Sequence, residues 1–206
     1  MCRLLAFVAR GDTIPERLFA SGELDAYREL SRVHSDGWGY ASSLVSDHCI
    51  DSYRSTERAI DDPTYKQFVT SQACQAGFVH LRWATAGMMI SEKNSHPFCN
   101  DEWAFAHNGS ISQVERLAGL LDDRFRPLRI GTTDSEIYFL LIMQMIEGTG
   151  DVTEGIRRAI ELIRVESPIS SLNAVLLGAD VLCVVQSHDG MANPLDNLIE
   201  ACGDFT

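Results

Sequence analysis

With 206 residues, 45% hydrophobic and 22% charged, the chain has the length for one large domain or two small ones and the composition of a globular protein with a sizeable core. Its 29 acidic against 17 basic residues give a formal net charge of −12, which argues against phosphate-backbone binding and against adsorption to anionic membranes. No run approaches the roughly 18 apolar residues of a membrane span. The opening MCRLLAFVARGD lacks the basic n-region, long h-region and cleavage site of a secretory signal. A cytoplasmic protein is therefore expected, with its six scattered cysteines (no CxxC pair) as reduced thiols.

In chain order, Arg3 to Ala9 reads as a strand buried on both faces. Pro15 to Val33 has a rough helical pattern broken near Gly22. Gly37 to Val45 and Cys49 to Arg54 read as a hairpin closed near Ser46-Asp47. Asp62-Pro63 is an N-cap followed by proline at the first helical position, opening a helix to about Gln72. Gln75 to Ala84 is a strongly apolar strand, Gly87 to Pro97 a loop, and Trp103 to His107 a third strand running into Asn108-Gly109. Helices are expected over Ser112–Leu121, over the very apolar Asp134–Glu147, which should be largely buried, and over the amphipathic Val152–Val165. Leu172–Leu177 and Val181–Gln186 form a second hairpin, and the polar tail after Ser187 has no clear element. No Gly-rich phosphate loop follows any strand, so this is an α+β chain with hairpin-joined strands and not a doubly wound nucleotide fold.

The residue with the most chemistry is Cys2. Removal of Met1 would place its thiol and an α-amine on one residue, and an α-amine with a pKa near 8 takes a thiol proton at neutral pH. An attacked amide carbonyl develops an oxyanion, for which Asn108 offers a side-chain NH2 and Gly109 an unhindered N–H. Arg82 suits a substrate α-carboxylate and Asp134 an α-ammonium. Each also has a plain reading: Asn108-Gly109 as a turn, Asp134 as a helix cap, Trp38 and Trp83 as core aromatics. His80, His96 and His107 show no metal-ligand spacing, so no metal or other cofactor is expected; they read as hydrogen-bonded core or site-lining residues.

Taken in order, Cys2, His34-Ser35-Asp36-Gly37-Trp38-Gly39, Arg82-Trp83-Ala84-Thr85, Asn94-Ser95-His96-Pro97-Phe98, His107-Asn108-Gly109 and Thr133-Asp134-Ser135-Glu136 resemble the class II glutamine amidotransferases, which are N-terminal nucleophile hydrolases. The MCRLLAF opening and HSDGWG segment look most like the stand-alone branch that includes the γ-glutamyl hydrolase of ergothioneine biosynthesis. Ala86 stands where the glucosamine-phosphate synthase glutaminases carry a histidine. The resemblance implies a four-layer αββα sandwich over residues 2–186, with 187–206 a polar tail or the shortened end of the same domain. It implies catalysis by Cys2 with Asn108 and Gly109 as oxyanion donors, and a glutamyl group held by Arg82, Asp134 and Thr85. The expected activity is hydrolysis of the γ-amide of glutamine or a γ-glutamyl compound through a thioester on Cys2. The rival expectations are a non-catalytic γ-glutamyl binding protein with Met1 retained, and a subunit that passes ammonia to a partner synthetase. No nucleic-acid or membrane partner is expected.

Overall fold

In the computed structural model, residues 2–44, 49–84, 87, 89–187 and 198–199 are described. The hairpin closure at Ser46-Asp47, Thr85 and most of the tail lie outside them. The chain divides into two compact units, one of residues 1–106, 175–183 and 200–206, the other of 107–174 and 184–199.

The first unit carries a four-stranded antiparallel sheet in the order β1 (Arg3–Thr13), β4 (Cys74–Leu81), β2 (Trp38–Leu44), β3 (Cys49–Ser55). Central β4 is buried at every position and β2 at all but its last, as near-continuous apolar runs require. β1 departs from its expectation. It is an edge strand, half-buried rather than buried on both faces, and it runs on to Thr13 through a register shift after Val8.

Helix α2 (Pro63–Ser71) covers this sheet, with Tyr65, Phe68 and Val69 packed on Trp38, Tyr40 and Val79. Tyr40 and Phe68 stack with centroids 3.9 Å apart. The expected Asp62 cap is in place: one carboxylate oxygen accepts from Thr64 N at 2.9 Å, the other from Trp38 Nε1 at 3.0 Å and Tyr53 OH at 2.9 Å. One side chain thus starts the helix and ties it to β2 and β3. The long helical pattern expected over 15–33 is only α1 (Glu23–Glu29) between two short 3-10 turns. Gly22, at φ 85°, cannot continue a right-handed helix from the residues before it.

The second sheet has the order β5 (Phe98–Cys99), β6 (Ala104–Ile111), β7 (Ile169–Leu177), β8 (Leu182–Val185), β9 (Leu198–Ile199). β9 falls in the tail for which no element was expected; Val184 and Val185 supply its pairing partners. The β7–β8 turn closes with Gly178 N donating to Val181 O at 2.8 Å, as the second hairpin requires. β6 corrects a second reading. Asn108-Gly109 is not a turn but lies inside the strand.

The second unit holds α3 (Val114–Ala118), shorter than the helix expected there, and the pair α4 (Asp134–Thr149) and α5 (Val152–Glu166). α4 is buried from Ser135 to Met143, and α5 buries the stripe Ile156, Ala159, Ile160, Ile163, both as their patterns demand. Among the described residues no helix is long and apolar enough to cross a membrane.

Candidate active site

The predicted site residues that the structure describes fall into two clusters, one in each unit. In the first, antiparallel pairing sets Arg3 opposite Leu81, so Cys2 emerges beside the residues that follow β4. Trp83 N donates to Cys2 Sγ at 3.3 Å, and the thiol donates to Trp83 O at 3.5 Å. Arg3 Nη1 donates to Cys2 O at 3.0 Å. Tyr27 OH lies 3.0 Å from both Arg3 O and Val79 O, bracing the start of β1. Desolvation first, then Tyr65 and Cys2, pushes the Tyr27 phenol well above its ordinary pKa, so it stays a protonated donor. Nothing in the sequence marks this role, because Tyr27 also fits an apolar position in the helical pattern over 15–33.

Arg82 lies just past the end of β4, not within the strand as expected, and is 3% exposed. Its N–H donates to Gly37 O at 2.8 Å and its Nη1 to Asp36 O at 3.2 Å. Its Nη2 is buried and finds no hydrogen-bond partner among the described residues. Burial pulls the guanidinium below its ordinary pKa, with Cys2 and Asp36 pulling the other way, yet an arginine keeps its charge in proteins. A buried cation whose Nη2 has no partner among the described residues, beside the backbone that holds the thiol, has the chemistry to accept an anion.

Trp83 is not a core aromatic. It is 47% exposed and meets His34 edge-on, ring centroids 5.5 Å apart, because the strand ends two residues earlier and frees its side chain from the sheet. Trp38, by contrast, is fully buried as expected. His80 and His96 are buried with ring centroids 4.2 Å apart.

In the second unit Asn108, Gly109 and Asp134 are drawn together by a buried hydrogen-bond chain. Gly109 is required by close approach: a Cβ there would lie 1.9 Å from Ser171 O and 2.6 Å from His107 Nε2. Asn108 O accepts from Ser171 Oγ at 2.9 Å. His107 Nε2 lies 3.1 Å from Ser171 O, a carbonyl that only accepts, so this nitrogen carries the proton. His107 Nδ1 then accepts from Ser135 Oγ at 2.9 Å in the neutral ring. Burial holds the His107 pKa down, opposed by Asp134 and by the Ser171 carbonyl, so the neutral form is favoured. Asp134 accepts from Ile111 N at 2.7 Å through one oxygen and from Ser135 N at 2.8 Å through the other. The helix cap itself is Thr133, which accepts from Glu136 N at 3.2 Å; Asp134 is the first helical residue.

Cys2 and Arg82 meet in one unit; Asn108, Gly109 and Asp134 meet in the other; Thr85 is outside the described residues. Among the described residues no group of three or more His, Cys, Asp or Glu is placed to hold a metal.

The family model for class-II glutamine amidotransferases matches residues 1–189, and the chain belongs to that family. It is similar to the probable glutamine amidotransferase DUG3 of Saccharomyces cerevisiae, 27% identical over 168 residues that make up 73% of this chain and 47% of that protein. It is also similar to the isomerizing glutamine–fructose-6-phosphate aminotransferase of Yersinia pseudotuberculosis, 35% identical over 165 residues, 80% of this chain and 25% of that protein. The chain thus spans about half of the first relative and a quarter of the second. Among solved structures, a glutamine aminotransferase class-II domain protein from Silicibacter pomeroyi matches with a TM-score of 0.64 at 20% identity, covering 93% of this chain and 80% of that one. The Bacillus subtilis glutamine phosphoribosylpyrophosphate amidotransferase matches with a TM-score of 0.61 at 13% identity, covering 90% and 37%. At these identities the likeness is one of fold, and it is the α+β sandwich of the N-terminal nucleophile hydrolases.

Proposed function

We propose that the chain is an N-terminal cysteine amidohydrolase that cleaves the γ-amide of glutamine or of a γ-glutamyl compound. The observation that carries the reading is Arg82, a buried guanidinium whose Nη2 has no partner among the described residues, beside the Trp83 backbone that holds the Cys2 thiol. That arrangement supports capture of a substrate carboxylate next to a nucleophilic sulfur. With Met1 removed, the α-amine of Cys2 takes the thiol proton and the sulfur attacks the γ-carbonyl carbon. Asn108 and Gly109 supply donors to the oxyanion, and Asp134 and Thr85 hold the rest of the glutamyl group. Collapse of the adduct breaks the C–N bond, and the leaving amine departs with the proton from the Cys2 ammonium. Water then hydrolyses the γ-glutamyl thioester to glutamate and restores the thiol.

A release assay over glutamine and several γ-glutamyl amides, with Cys2→Ala as control, tests the reading. Glutamate release that vanishes in Cys2→Ala supports it; release that persists overturns it. Intact mass adds an independent check, since a fully retained Met1 in the native host blocks the amine and favours a non-catalytic γ-glutamyl binding protein. A second reading, a glutaminase feeding ammonia to a synthetase, has support in the length of the Yersinia relative, of which this chain covers only 25%. Co-purification with a synthetase would favour it. We place the activity in the cytoplasm, where the thiol state of Cys2, Cys49, Cys74, Cys99 and Cys183 would be maintained.

A further inference from the structure

The His34–Gly39 segment takes no part in the chemistry above, yet it grips the residues that do. Asp36 meets the 82–84 stretch three times. Its N–H donates to Arg82 O at 3.2 Å, its carbonyl accepts from Arg82 Nη1 at 3.2 Å, and its Oδ2 accepts from Ala84 N at 2.8 Å. The backbone just after Asp36 is equally constrained. Gly37 has φ +123°, a Cβ on it would lie 2.5 Å from Ser55 O, and its carbonyl accepts from Arg82 N at 2.8 Å. Trp83 is therefore held on both sides, and Trp83 is the residue whose N–H points at the Cys2 sulfur. When the thiol loses its proton, its bond to Trp83 O is forfeited while the bond from Trp83 N remains and strengthens.

We propose that Asp36 is a positioning residue for the nucleophile: by holding the Ala84 N–H, its carboxylate keeps the Trp83 N–H aimed at the Cys2 sulfur and the Arg82 guanidinium in place. Asp36 touches neither the thiol nor, on this account, the substrate. The proposal rests on Cys2 being the nucleophile. It separates two effects of one carboxylate. The geometric effect favours thiolate through the Trp83 N–H. The negative charge, taken alone, disfavours thiolate.

The test is the pH profile of Cys2 alkylation by iodoacetamide on the full chain, read by peptide mass at Cys2, since Cys49 and Cys99 are exposed and react as well. Asp36→Asn keeps an acceptor for Ala84 N and removes the charge; Asp36→Ala removes both. Positioning predicts that Asp36→Ala moves the midpoint up by about one pH unit and slows alkylation at neutral pH by about tenfold, while Asp36→Asn restores the rate to within about twofold. Wild-type alkylation in Asp36→Ala, or the same shift in both variants, overturns the proposal. Thermal melts accompany each variant. Should Asp36→Ala not hold its fold at the assay temperature, Asp36→Ser, with a hydroxyl too short to reach Ala84 N, is read in its place with the same two outcomes. Alkylation needs no substrate. A wild-type protein that releases no glutamate would sink the proposed function while leaving the Asp36 result decisive.

Discussion

The two clusters treat their charged groups in opposite ways. In the first unit Arg82 gives one guanidinium nitrogen to the Asp36 carbonyl and leaves Nη2 buried without a partner among the described residues. In the second unit both Asp134 oxygens already accept backbone N–H groups, from Ile111 and from Ser135. An unfilled buried donor costs about 1–3 kcal/mol until an acceptor arrives, whereas a filled carboxylate has already been compensated. Ligand binding energy is therefore expected chiefly from Arg82. Asp134 retains lone pairs for an ammonium, but much of its role is to join the end of β6 to the start of α4.

The largest effect should come from the proposed oxyanion donors, which stand outside that contrast and calibrate it. Asn108→Ala is expected to cut glutamate release by about a hundredfold or more with an unchanged melting curve, the loss typical of one such donor. Near-normal release would remove the assignment. Gly109→Ala should lose at least as much, because its Cβ would meet Ser171 O at 1.9 Å and displace the strand. Next, Arg82→Gln should lower kcat/KM by roughly 10- to 100-fold, mainly through KM, as loss of a charge-assisted bond does. Its melting temperature should hold or rise, since an unsatisfied buried charge is relieved. A large stability loss with KM unchanged would make Arg82 structural and reverse the comparison. Asp134→Asn should be milder in catalysis, about tenfold or less in kcat/KM, and visible as a lower melting temperature, because an amide keeps one acceptor oxygen and turns its NH2, a donor, toward one of the two backbone N–H groups. If its KM effect matched that of Arg82→Gln, the claimed asymmetry would be gone.

What could be read in the sequence follows from how local each feature is. Asp62-Pro63 and the apolar stretch of α4 carry their own structural instruction, and both stand where expected. Cys2, Arg82 and Asn108-Gly109 were visible as polar residues at the ends of apolar runs. The Asn-Gly dipeptide favours a turn locally. Here it is a strand, because Ser171 and His107 pack against Gly109 and Ser171 Oγ holds Asn108 O, partners at a sequence distance no local rule covers. Thr133 and Asp134 are adjacent capping residues, and only the bond to Glu136 N shows which one caps. A tryptophan in an apolar run reads as core, but the exposure of Trp83 depends on where β4 stops. Tyr27 and Asp36 act through bonds to carbonyls and N–H groups, which leave no signature in side-chain pattern.

The smallest expected effect concerns His107 and pH. Buried between Ser135 and Ser171, it is held neutral with its pKa below that of the unfolded chain. Above about pH 6.5 both states carry a neutral ring and the group contributes nothing to pH dependence. As pH falls from about 6.5 toward the depressed native pKa, the unfolded chain takes up a proton that the native one refuses. Stability then falls, by at most about 1.4 kcal/mol per pH unit for one such group. His34, also depressed by burial and by Arg3, acts in the same direction, so the wild-type slope is not assigned by itself. His107→Gln isolates it. The amide can still donate to Ser171 O but does not titrate, so urea unfolding between pH 7 and 5 should show a flatter fall in stability than wild type. A variant with the wild-type slope would mean that His107 takes up its proton at the same pH folded as unfolded, and so is protonated in the native state by pH 5. The tautomer that makes Nε2 the donor behind Asn108-Gly109 would then no longer be the one in use.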